Sequence, residues 1–147
     1  MPLPSLTADA VELHAAAADW REAVAVAGRV LARNGITTER YGAEMVRMIE
    51  EHGPYVVIAP GLVLAHARPG PEVLGNGLAI VTLATPVDFG HPHNDPVSVV
   101  LGLAMTTADE HVAAVAHIAN VFNDASAISE LAAATAPDEA IAILARA

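Results

Sequence analysis

Four apolar runs in the middle of the chain leave little choice of fold. They are "YVVIA" (55–59), "LVLAHA" (62–67), "GLAIVTLA" (77–84) and "VSVVLGLA" (97–104). Each is short and rich in Val, Ile or Leu, and Pro and Gly clusters ("APG", "RPGP", "GNG") separate them. The apolar residues are consecutive rather than alternating, so these read as strands covered on both faces. Val11–Leu13 is a candidate short edge strand. A sheet of this kind needs helices on both sides, and the flanks supply them.

"ADWREAVAVAGRVLARNG" (18–35) carries Asp19 as N-cap with Glu22 three residues on, the capping-box pattern, and Gly35 as its stop. "TTERYGAEMVRMIEEHG" (37–53) puts Met45, Met48 and Ile49 on one side and ends at Gly53. "TADEHVAAVAHIANVF" (107–122) opens with Thr107 and Glu110, a second capping box. "ASAISELAAATA" and "PDEAIAILARA" follow, the latter with Pro137 at the first helical position. The expected class is α/β: one domain over residues 1–147, a mixed sheet flanked by helices on both faces.

Composition narrows the chemistry. The 147-residue chain has a net charge of −10, with only seven Lys and Arg, so broad nucleic-acid contact lacks the basic surface it requires. An acidic body suits a basic protein partner. With no Cys there is neither a disulfide framework nor a thiolate metal site. The N-terminal "MPLPSLTADAVELH" has no signal-peptide pattern, and no apolar run is long enough to span a bilayer, so a cytoplasmic location is expected.

Candidate chemistry centres on "IAPGLVLAHARPG" (58–70). In an extended segment Leu62, Leu64, His66 and Arg68 share one side, which puts an imidazole and a guanidinium where the strand enters a surface loop. Imidazole is a good nucleophile near neutral pH, its unperturbed pKa being about 6.5. Arg offers a planar fork of donors for phosphate oxygens. The alternative is a structural His beside an incidental Arg. His111 lies in the first turn of the helix capped by Thr107, on one face with Val115, Ile118 and Phe122. A helix start favours an anion, so His111 is either a second phosphate-facing group or a residue closing the core. His117 falls off this stripe and is expected on the helix surface. His14 and His52 carry no constellation. His91, His93 and Asp95 in "GHPHND" form a weak metal candidate that turn chemistry explains better. There is no P-loop, no strand followed by GxGxxG, and no GxSxG elbow; "GPEVLGNG" joins two strands as a turn. Nothing visible would hold a nucleotide and its magnesium.

Taken together, "GPYVVIAPGLVLAHARP", "PVDFG…NDPVSVVLGLA" and "DEHVAAVAHIANVF" resemble the IIA domain of the bacterial sugar phosphotransferase system (PTS). The match is to the mannitol/fructose class and, through "HARP", to its ascorbate-type branch. The resemblance implies a phosphocarrier that needs no cofactor or metal. It would accept a phosphoryl group on His66 from the carrier HPr and pass it to a cysteine of a separate EIIB component. The EIIB component in turn serves a membrane EIIC transporter. The resemblance places the family's second active-site histidine at His111 and the Arg of its HAR motif at Arg68. A regulatory protein switched by histidine phosphorylation is the alternative within the same fold. The chain departs from the family at Ala65, where Pro is common before the acceptor and where its absence predicts a looser strand end. It departs again at Met105-Thr106-Thr107.

Overall fold

The computed structural model describes residues 3–146. Met1, Pro2 and Ala147 of the expected 1–147 span lie outside the described residues. Five strands form one sheet: β1 (Val11–Ala15), β2 (Val57–Ala59), β3 (Leu62–His66), β4 (Gly77–Val87) and β5 (Val97–Ala104), in the order β1-β4-β5-β3-β2. The sheet is mixed. β1 runs parallel to β4 and β3 parallel to β5, while β4–β5 and β2–β3 are antiparallel.

Helices α1 (Trp20–Arg33) and α2 (Tyr41–His52) cover one face. α3 (Ala108–Phe122), α4 (Ser126–Ala133) and α5 (Pro137–Leu144) cover the other. The two faces of β3 show the division residue by residue. Val63, Ala65 and Ala67 pack into the α1–α2 core, whereas Leu62 and Leu64 pack into the α3–α5 core. The α/β class and the two-sided cover agree with the apolar runs.

The local signals act where expected. Asp19 Oδ1 accepts the Glu22 N–H at 3.0 Å, and Glu22 Oε2 accepts the Ala18 N–H at 2.7 Å. Thr107 Oγ1 accepts the Glu110 N–H at 3.2 Å. Such caps satisfy helix N–H groups that have no intrahelical acceptor. Pro137 opens α5, and Gly35 follows the end of α1 at φ 73°, a conformation that suits a residue without Cβ.

Three expectations need correction. The second strand starts at Val57, not Tyr55, which lies in the preceding turn. The edge strand runs to Ala15, two residues beyond Leu13. His117 is buried, not on the surface, and its Nε2–H donates to Leu144 O at 2.8 Å. The buried stripe of α3 is Ala114, His117, Ile118, Val121 and Phe122. Both α4 and α5 lie over this side of the sheet, and α5 reaches the imidazole through its last carbonyl.

α1 and α2 meet at two glycines. A Cβ on Gly28 would stand 2.6 Å from Gly42 Cα, while a Cβ on Gly42 would stand 3.5 Å from Gly28 Cα. Replacing a mid-helix Gly by Ala gains about 1 kcal/mol in propensity, but overpacking against backbone costs about 1–3 kcal/mol. Gly28→Ala is therefore expected to lower stability by up to about 2 kcal/mol, and Gly42→Ala to be tolerated. Urea denaturation of both variants checks the asymmetry.

Candidate functional site

β3 and β5 are parallel with His66 opposite Leu103, so both strands end on the same edge of the sheet. β5 ends at Ala104 and α3 begins at Ala108. The short link brings the first turn of α3 back over the end of β3. The ring centroids of His66 and His111 are 4.9 Å apart, tilted by 52°. Sixty-six residues into the chain and forty-five further on, the two imidazoles share one wall of a cavity of about 460 Å³.

His66 is half-buried, and one ring nitrogen is accounted for. Nδ1 lies 2.9 Å from Leu64 O. A carbonyl only accepts, so Nδ1 carries the hydrogen and the neutral ring leaves Nε2 with its lone pair. Burial lowers the His66 pKa below the ordinary 6.5, opposed by the bond to Leu64. His111 is also held below 6.5, by burial first and by the neighbouring His66 charge second. Both rings are therefore neutral at pH 7.

Tyr55 stands edge-on to His66 with centroids 5.9 Å apart, and His52 stands edge-on to Tyr55 at 6.1 Å. Met48 and His52 from the last turns of α2, and Arg68, Pro69, Ala108 and Val112, complete the lining. Arg68 is exposed just past the strand, and among the described residues no carboxylate lies within ion-pair distance of it. Arg21, Arg33, Arg47 and Arg146 are by contrast all paired with glutamates. The rim is apolar where it meets solvent: Val112 is 66% and Tyr55 43% exposed. A second, more polar hollow of about 590 Å³ continues past Arg68 toward Glu44, Arg47 and Glu72.

All three sequence-derived site residues, His66, His111 and Arg68, line the same cavity. His52 does too, contrary to the expectation that it stands alone. Its place depends on where the end of α2 packs, and that of Tyr55 on where the following turn folds, neither of which spacing encodes. Ala65, the departure before His66, is fully buried and in register with Gly102. His91 and His93 build a turn. His91 Nδ1 accepts the N–H groups of His93 and Asn94 at 3.1 and 3.0 Å. The Asp95 carboxylate accepts those of Phe89, Gly90 and His91. Among the described residues no group of three His, Cys, Asp or Glu is arranged to hold a metal ion.

A neutral imidazole thus lies beside a second one, at the end of an interior strand and under a helix start. The sequence model of the family "phosphoenolpyruvate-dependent sugar phosphotransferase system, EIIA 2" matches residues 5–147, and the chain belongs to that family. It is 34% identical over 137 residues to the ascorbate-specific PTS system EIIA component of Escherichia coli strain K12, covering 92% of this chain and 89% of that protein. It is similar in structure to IIA mannitol of Escherichia coli (TM-score 0.84, 26% identity, 95% of this chain and 99% of that one). It is also similar to the chain matched in the complex of Escherichia coli enzyme IIAMTL with phosphorylated enzyme IIBMTL (TM-score 0.85, 25% identity, 96% and 97% covered). No described helix is long and apolar enough to cross a membrane.

The lowered pKa values carry a sign. Between the folded pKa and 6.5 an unfolded chain binds protons at these histidines that the folded chain does not. Their contribution to stability is then complete above about pH 6.5 and declines as pH falls through the folded values. In an NMR titration, the ring signals of His66 and His111 are expected to have midpoints below that of a model histidine.

Proposed function

We propose that the chain acts as a single EIIA domain, a cytoplasmic phosphocarrier that accepts a phosphoryl group on His66 Nε2 from phosphorylated HPr. It hands the group to a cysteine of a separate EIIB component that serves a membrane EIIC transporter. The similarity to ascorbate-specific components favours ascorbate-type uptake, and the relative found with phosphorylated IIB favours EIIB as acceptor. One observation carries the assignment of the nitrogen: the bond from Nδ1–H to Leu64 O leaves Nε2 as the unprotonated nucleophile.

The step needs no cofactor. The Nε2 lone pair attacks phosphorus, the N–P bond of the donor breaks, and its electron pair returns to the donor imidazole. In the second step a thiolate attacks, an S–P bond forms, and the electron pair of the N–P bond returns to Nε2. Both steps exchange comparable nucleophiles, so the protein's part is placement and charge stabilisation. His111 donates its N–H to a phosphoryl oxygen. The dianion on His66 also raises the affinity of His111 for a proton. Arg68, without a carboxylate partner, supplies a counter-charge. The first turn of α3, at Ala108, adds N–H groups and the positive end of the helix dipole.

Incubation with phosphorylated HPr is expected to add one phosphoryl group to the wild-type chain by intact mass and none to His66→Ala. Labelling that persists in His66→Ala rejects the assignment. His111→Ala removes a charge-assisted hydrogen bond of about 1.5–3 kcal/mol, so transfer slows by about 10- to 100-fold. Arg68 is exposed, and Arg68→Ala is expected to cost about fivefold or less. Rapid-quench kinetics of the two variants check the order of these effects.

A further inference from the structure

We propose that Tyr41 is a positioning residue for His66, holding the end of β3 at a set separation from β5 through a hydroxyl inserted into the sheet. This rests on the assignment of His66 as phosphoryl acceptor.

The pairing pattern shows the insertion. Val99 N–H donates to Gly61 O at 3.1 Å, at the start of the parallel β3–β5 pair. In a parallel pair the bonding residues of one strand alternate, so Val63, Ala65 and then Ala67 send their N–H groups toward β5. With His66 opposite Leu103, the rung after Ala65 would join Ala67 N–H to Leu103 O. It does not. Ala67 N–H donates to Tyr41 Oη at 2.9 Å, and Tyr41 Oη–H donates to Leu103 O at 2.8 Å. One oxygen stands in the rung, relaying it and keeping the strand ends apart. Ala67 O lies within 3.2 Å of the same hydroxyl.

The placement is specific to His66. Tyr41 is 1% exposed and comes from the first residue of α2, on the α1–α2 face. The His66 ring points the other way, toward α3. Tyr41 therefore fixes the main chain immediately after His66 from behind and touches neither the ring nor the cavity's far wall. The hydroxyl is a dependable donor: burial, the largest cause, pushes its pKa up to about 12. Removing it leaves Ala67 N–H and Leu103 O either to bond each other, which draws β3 toward β5, or to admit water. Both change the separation of His66 from His111, which phosphoryl transfer between nucleophiles reads sensitively.

The test compares wild type, Tyr41→Phe and His66→Ala, with far-UV circular dichroism to establish folding. The expected result for Tyr41→Phe is a kcat for transfer from phosphorylated HPr lowered by about 10- to 100-fold with KM for HPr unchanged. The ¹⁵N shifts of the His66 ring, read without any donor, are expected to move as the bond to Leu64 changes. Wild-type kcat and ring shifts in a folded Tyr41→Phe protein overturn the proposal. So does a slower rate with unmoved ring shifts, which assigns the loss to something other than positioning. If Tyr41→Phe does not fold, 3-fluorotyrosine at position 41 keeps the hydroxyl and alters its bond strength. Moved His66 shifts then support the proposal, and unmoved shifts overturn it. Failure of wild type itself to take up phosphoryl would sink the acceptor assignment instead, while the ring shifts still report on Tyr41.

Discussion

The parallel register of β3 against β5 fixes the rest of the site. Two neighbouring strands that point the same way end on the same edge, and Leu103 opposite His66 makes those ends level. The chain leaving β5 has only a few residues before α3 starts. The first turn of that helix then has nowhere to sit but over the end of β3. The 4.9 Å approach of two imidazoles far apart in sequence follows from pairing, not from any attraction between the rings. Neutral histidines tolerate that approach in a half-buried place, and a pair of charged ones would not.

The orientation of the His66 ring is fixed one layer further in. The carbonyl of Leu64, two residues back on the same strand, takes one ring proton and so decides which nitrogen is basic. A side chain doing this job would have to be positioned in its turn. A main-chain carbonyl of a fully buried central strand comes already placed.

Much of this was legible in the residues. The consecutive apolar runs require a sheet covered on both sides, and Asp19 and Thr107 mark helix starts that the structure keeps. His66 is marked by its position at the end of such a run and His111 by its place in a capped first turn. What stayed hidden depends on tertiary placement. His52 and Tyr55 carry no motif and enter the cavity because the end of α2 and the turn after it fold against His66. Tyr41 reads as one more helical residue, since nothing in one dimension shows an oxygen inside a rung between residues 67 and 103. Spacing puts His117 off the stripe that starts at His111, but α3 turns Ala114, His117, Ile118, Val121 and Phe122 inward, and a single carbonyl of α5 suffices to satisfy the imidazole in the core.

The sheet separates two cores that share no side chain. Val63, Ala65 and Ala67 belong to one compartment, Leu62 and Leu64 to the other, and His66 opens on the second side only. Disturbance among α1 and α2 reaches the imidazole by two routes: the peptide backbone that divides the two cores, and Met48 and His52 at the end of α2, which line the cavity together with Tyr55. The partition thus shields the reactive edge from repacking deep behind the sheet, while the end of α2 contributes part of the surface that a docking molecule meets.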